Sequence, residues 1–241
     1  MKNPIFYIVE LDLPETDTDV HLRYFYEWYA HVHTPHLYEA GFTVCTSYRG
    51  IAGAMQFVDI YQADDWDIFT SARFANYRKV AASDPHLPSF MGKTANTRTP
   101  YHHVAWRDET MEEMAKSLVS DWITVWRFAA NDADFADVGD WLASEGEARL
   151  KALGADTIRL LRKTREAPTG TSSRPDSAIV LQWKSQPSDY ALSLTALPAK
   201  LSEAIAAVPG FTGYRMFPWA DAPEIRAQFT TFLDYDNPGA G

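Results

Sequence analysis

The chain has 241 residues, 46% of them apolar and 22% charged, which suits one large domain or two compact halves and not a disordered segment. A net charge of −10 without any lysine and arginine cluster argues against nucleic acid as a partner. No apolar run approaches the roughly 20 residues that cross a bilayer. The N-terminus lacks the regions of a signal peptide, and the single cysteine, Cys45, excludes an intrachain disulfide, so a cytoplasmic protein with a buried thiol is expected.

Ile5 to Leu13 is rich in aromatic and β-branched residues and predicts a strand. Asp17 and Asp19 mark a helix start, and Leu22, Phe25, Tyr26 and Tyr29 follow at i, i+3, i+4, i+7 on one face. Thr34-Pro35 interrupts this helix, which either kinks there or ends and restarts from Pro35 to Ala40, with Gly41 as its stop. Strands are predicted over Phe42–Arg49 and Ala54–Tyr61, joined by a turn containing Gly50 and Gly53. A helix over Asp64–Val80, an irregular or partly helical stretch over Ser83–Arg98 and a strand over Tyr101–Arg107 follow. The order is then repeated: strand Asp121–Ala129, helix Phe135–Leu153, strands Thr157–Lys163 and Ala178–Trp183, helix Asp189–Val208 and strand Phe211–Phe217. A further strand is expected over Gln228–Tyr235.

Each half reads β-α-β-β-α-β, the split βαβ order of ferredoxin-like folds. Spacing supports the duplication. Trp28 precedes Gly41 by 13 positions and Gly41 precedes Arg49 by 8; Trp141, Gly154 and Arg162 keep both intervals. The tryptophan anchors the helix, the glycine closes it in a left-handed turn, and the arginine lies in the next strand. The fold expected is therefore α+β, with two tandem ferredoxin-like repeats, residues 1–115 and 116–241, divided in the polar stretch from Asp108 to about residue 118. A sheet covered by helices on one face must bury its other face, and two such halves can close a barrel-like core on one another.

The halves differ in chemistry. All seven histidines, His21, His31, His33, His36, His86, His102 and His103, lie in the first, and the second has Ser144, Gly146 and Arg149 where the first has His31, His33 and His36. Imidazole is the side chain suited to proton transfer near neutrality, so one site is expected, in the first repeat. His33 is the candidate acid or base, kept neutral by the adjoining helix start at Thr34-Pro35. Tyr29, four residues earlier, can donate to a carbonyl or enolate oxygen. His86, in the rigid Asp84-Pro85-His86-Leu87-Pro88 segment, and His103 are further catalytic candidates. His102 and His103 are adjacent on a strand and must face opposite ways. Trp28, Tyr7, His36, Tyr48, Arg49 and His102 are candidate substrate-binding residues, Arg49 for a carboxylate, although Arg162 at the repeated place argues for a structural role. With 14% aromatic residues the chain can line a pocket for a flat apolar ligand.

The stretch Trp28-Tyr29-Ala30-His31-Val32-His33-Thr34-Pro35-His36-Leu37-Tyr38-Glu39-Ala40-Gly41-Phe42 resembles the first helix of EthD-like members of the dimeric α+β barrel superfamily. Trp28, Tyr29, His33, Pro35, Leu37, Gly41 and Phe42 match; Val32 stands where Glu is usual and Ala40 where Pro is usual. The resemblance implies a barrel core formed within one chain by the tandem repeats, and a role in catabolism or secondary metabolism. Chlorite-dismutase-like proteins share the tandem plan but take their axial histidine from the second repeat, which has none here. His31, His33 and His36 do not share one helical face, so no metal site is expected. No glycine-rich nucleotide loop and no Gly-x-Ser-x-Gly elbow is present.

These readings predict a cofactor-independent enzyme of lyase, isomerase or cyclase type, acting by acid/base chemistry on a small aromatic or apolar, oxygen-bearing molecule. The alternatives are a non-catalytic small-molecule-binding barrel and a cofactor-free monooxygenase. A homodimer is expected, because exposed sheet edges invite pairing with a second copy.

Overall fold

Strand β1 (Ile5–Asp12) turns Ile5, Tyr7, Val9 and Leu11 one way and Phe6 and Ile8 the other, and both sets are buried. A strand buried on both faces needs helices on one side and a second apolar surface on the other. The computed structural model, which describes residues 3–13, 19–88, 90–91, 95–187 and 194–217, supplies both. Helices α1 (Asp19–Trp28), α2 (Thr34–Ala40) and α3 (Ala72–Ala82) follow in the first half, with strands β2 (Val44–Gly53), β3 (Phe57–Ala63) and β4 (Ala95–His103). After α4 (Met111–Ala115) the second half contributes β5 (Trp122–Phe128), α5 (Asp132–Trp141), α6 (Glu147–Ala152), β6 (Ala155–Arg162), β7 (Ser177–Trp183), α7 (Ala199–Ala206) and β8 (Phe211–Arg215).

The eight strands form a closed barrel in the order β1-β3-β2-β8-β5-β7-β6-β4, and every neighbouring pair is antiparallel. Within each half the order is fourth, first, third, second, the ferredoxin-like arrangement. The two four-stranded sheets join edge to edge at β2–β8 and β4–β6. Phe6, Ile8, Tyr48, Val58, Ile60, Tyr101, Ile123, Val125, Leu161, Val180 and Phe211 fill the barrel, while separate apolar clusters pack the outer face of each half against its helices. Closure leaves no free edge among these strands, so edge pairing gives no basis for the expected homodimer.

Several boundaries differ from those expected. The strand expected over 101–107 runs over Ala95–His103, because its polar inner residues Thr97 and Thr99 find Ser173 and Ser172 as partners. The helix over 64–80 breaks at Ser71, whose hydroxyl accepts from the Phe74 N–H at 3.0 Å and caps α3. β2 runs on to Gly53, where a Cβ would stand 1.9 Å from the Gly210 carbonyl oxygen, so only glycine permits the approach of β8. The polar stretch around 108–118 is not a loose linker. Leu118 is buried, and backbone carbonyls of this segment accept from Tyr48, Gln62 and Arg159 at one end of the barrel. The strand expected over 228–235 and the start of the helix expected over 189–208 lie outside the described residues. Among the described residues, no helix is long and apolar enough to cross a membrane.

Candidate active site

Helix α1 gives way at Trp28, and a short helix restarts at Thr34–Ala40, close to the Pro35–Ala40 expected; what the sequence did not show is the join. It is a π-type turn over Tyr29–His33, in which the Thr34 N–H bonds the Tyr29 carbonyl, and it leads directly into α2. Pro35 has no N–H for an α-helical bond, and the wider turn absorbs that loss. With bonded groups five positions apart, Trp28 and His33 come into register. Their rings stack with centroids 4.8 Å apart and 27° between planes, and the Trp28 indole is fixed by an N–H bond of 2.8 Å to Asp84.

Beneath this turn lies the outer face of the first sheet, and its register composes the rest of the site. Tyr7 on β1 is opposite Tyr61 on β3, and Tyr61 is opposite Cys45 on β2; one row along, Val9 is opposite Asp59 and Asp59 opposite Ser47. A cavity of about 260 Å³ lies between helices and sheet, lined by Trp28, Tyr29, His33, Leu37, Phe42, Asp59 and Tyr61 among others. The Tyr29 hydroxyl donates to the Tyr61 oxygen at 3.3 Å. Tyr61 donates to Asp59 Oδ2 at 3.2 Å and lies 3.4 Å from His33 Nε2. Ser47 donates to the other carboxylate oxygen of Asp59. Thr169, in the β6–β7 connection, hydrogen-bonds Tyr7, so the second repeat supplies part of the pocket wall.

Burial sets the protonation states. Asp59 is fully buried, and desolvation raises its pKa to about 7 against the opposing pull of the Ser47, Tyr61 and Tyr29 hydroxyls. Desolvation, with smaller contributions from His36 and Arg98, lowers His33 to about 3. The neutral imidazole expected from sequence is thus present, but burial keeps it neutral, not a helix terminus, since helical backbone runs on through the π-type turn. Tyr29 and Tyr61 are pushed well up by burial and by Asp59, so both stay protonated donors. Burial and Asp59 also raise the Cys45 thiol.

Of the residues singled out from sequence, the cavity brings together Tyr7, Trp28, Tyr29 and His33. The rest lie elsewhere. His36 and His86 line a shallow outer groove. His102 faces outward and stacks on Trp66 with centroids 6.2 Å apart. His103 faces into the barrel end, where its Nε2 is 2.7 Å from Glu109. Tyr48 is inside the barrel and donates to the Leu118 carbonyl at 2.7 Å. Arg49 donates to the Tyr26 hydroxyl at 2.8 Å. Asp59 and Tyr61 were not singled out. The available signal was a carboxyl group in Phe57-Val58-Asp59-Ile60-Tyr61, a run apolar on both faces.

The second repeat has the same frame without the chemistry. Its helix also widens into a π-type turn, Leu142–Gly146. In the aligned positions Leu142 replaces Tyr29, Gly146 replaces His33, and in the matching strand Ile179 and Leu181 replace Asp59 and Tyr61. Among the described residues, no three histidine, cysteine or carboxyl side chains converge to hold a metal ion.

No protein-family model matches the sequence, and no curated protein matches it. Solved structures do resemble the fold. A chlorite dismutase variant from Candidatus Nitrospira defluvii is similar with a TM-score of 0.53 at 13% identity, covering 95% of this chain and 96% of that one. An anthrone oxidase-like protein gives 0.53 at 13% identity, covering 91% and 94%. A haem-binding protein from Thermus thermophilus gives 0.51 at 10% identity, covering 95% of each. The fold is thus that of the dimeric α+β barrel with both halves in one chain.

Neither cavity between the helices and the sheet suits haem, which one of these proteins binds. The second-repeat cavity, about 200 Å³, is lined by Phe128, Val138, Trp141, Lys200 and Leu201 and offers no imidazole. The first-repeat cavity has an imidazole, but His33 stacks on Trp28 and turns its Nε2 to the Tyr61 hydroxyl at 3.4 Å, a position taken up by the protein's own side chains.

Proposed function

We propose that the chain is an enzyme that performs acid/base chemistry, of lyase, isomerase or cyclase type, on a small aromatic or apolar oxygen-bearing molecule held in the first-repeat cavity. The observation that carries this reading is the opposite displacement of two buried titratable groups that both reach Tyr61 in one pocket, Asp59 up to about 7 and His33 down to about 3. Groups pushed apart in this way divide the roles of base and electrophile. A pKa near the working pH suits Asp59 as the general base, the role that sequence alone gave to His33. Tyr61 connects the carboxylate to the cavity: as it accepts the substrate proton, its own passes to Asp59. Neutral His33 and the Tyr29 hydroxyl then donate hydrogen bonds to the oxygen on which charge develops. Trp28, Leu37 and Phe42 provide the apolar walls that exclude water. The EthD-like resemblance of residues 28–42 supports the same helix as the site's frame.

The test is a turnover screen of aromatic acids, lactones and enols, with binding measured in parallel. His33→Ala and Asp59→Asn are expected to lower turnover by about 100-fold or more while affinity changes little, since both groups act on the transition state. Ligands that bind with no turnover across the panel would replace this reading with a binding barrel. Oxygen uptake coupled to substrate loss would replace it with a monooxygenase.

A further inference from the structure

Two guanidinium groups at the cavity have no role in the chemistry above. Arg98 on β4 and Arg78 on α3 both line it, Arg98 half-buried and Arg78 exposed. Among the described residues neither makes an ion pair or hydrogen bond, in a chain whose other arginines are largely paired and whose net charge is −10. Among those residues too, Asp59 is the one carboxyl group lining the cavity, and it is already held by Ser47 and Tyr61.

The strand register fixes the spacing. Arg98 is opposite Val9, and Val9 is opposite Asp59, so the arginine and the carboxyl group lie in one row two strands apart. Two interstrand spacings separate their backbones by roughly 10 Å. Between them the floor is Val9, with Leu11 nearby. That distance suits a ring lying on the apolar floor, with its reacting atom at Tyr61 and an anionic substituent at the far end.

We propose that the substrate carries a carboxylate that Arg98 binds, with Arg78 at the mouth steering it in, and that this anion sets the ring's direction over Asp59 and Tyr61. Arginine offers a planar pair of donors to a carboxylate, and a half-buried site strengthens the bond. The inference rests on the cavity being the substrate site.

Calorimetric titration with two matched pairs, benzoate against phenol and 2-naphthoate against 2-naphthol, separates the two ideas. The carboxylates are expected to bind about tenfold or more tighter than the phenols, and Arg98→Met to bring each pair to near parity without weakening the phenols. Raising salt from about 0.05 to about 0.5 M should weaken only the carboxylates of the unmodified protein, a readout that needs no folded variant. Phenols binding as tightly as carboxylates, or a preference that survives in Arg98→Met and is insensitive to salt, would overturn the anion site and leave the cavity standing. Binding of none of the four probes would overturn the cavity itself as a substrate site.

Discussion

At the scale of single residues, Asp59 decides how the site behaves with pH. Its carboxyl group is placed between Val58 and Ile60 and is fully buried, and its pKa of about 7 lies well above the ordinary 3.8. Two consequences follow from that one shift. If ionised Asp59 is the base, kcat/KM rises as pH passes through about 7, and Asp59→Asn retains about 1% or less and loses that limb of the profile. Stability moves the other way. Between the unfolded pKa, about 4, and the folded value the native state holds more protons than the unfolded one, so stability falls as pH rises. Asp59→Asn escapes this cost. Its Tm relative to the unmodified protein should therefore climb from about pH 5 to about pH 8, as differential scanning calorimetry would show; a difference that stays flat would mean that Asp59 is not the strained acid described. The sequence made His33 conspicuous because histidines cluster around it. It hid Asp59, since a lone acid in a strand becomes meaningful only when both faces of that strand are known to be buried.

At the scale of elements, the π-type turn shows what was legible and what was not. The matching Trp–Gly spacings located equivalent helices in the two halves, and the glycines do close them, Gly41 at φ 111° and Gly154 at φ 102°. Spacing alone gave no sign that both helices carry a wide turn, because a π-type turn has no composition of its own and here depends on a proline in one half and on none in the other. The two turns serve opposite ends. In the first, Trp28 stacks on an imidazole. In the second, Trp141 packs on bare backbone, and a Cβ on Gly146 would lie 2.7 Å from its ring. Gly146→Ala is therefore expected to cost about 1–3 kcal/mol through overpacking, read as a lower denaturant midpoint at unchanged slope. Turnover in the first repeat should be unaffected while the protein is folded, which would separate the frame of the duplicated helix from its chemistry.

At the scale of the whole molecule, the two halves close one barrel, and the seams are unequal. β2 and β8 pair over five positions, but β4 and β6 over only two, His102 with Arg162 and His103 with Leu161. The β6–β7 connection completes the weak seam: Ser172 and Ser173 bond Thr99 and Thr97, and the Pro175 carbonyl accepts from Tyr101 at 2.8 Å. The same connection reaches the cavity through Thr169, so one wall of the proposed site comes from the second repeat. None of this was visible in a polar loop sequence, although the pairing of two ferredoxin-like halves was. The deepest tie across the halves is Glu10 on β1, whose carboxylate lies 3.1 Å from Arg127 on β5 and 2.8 Å from Arg174. Arg127 is fully buried, and that carboxylate is its ion-pair partner among the described residues. Removing one partner of a buried pair leaves the other uncompensated and costs about 3–5 kcal/mol. Glu10→Ala should lose that much by chemical denaturation, with both halves unfolding together. The double change Glu10→Leu with Arg127→Met, which removes the two deeply buried charges and leaves only the partly exposed Arg174 without its partner, should recover most of it. A Glu10→Ala protein as stable as the original, or one that unfolds in two separate steps, would show instead that each half stands on its own core and that the barrel is only their point of contact.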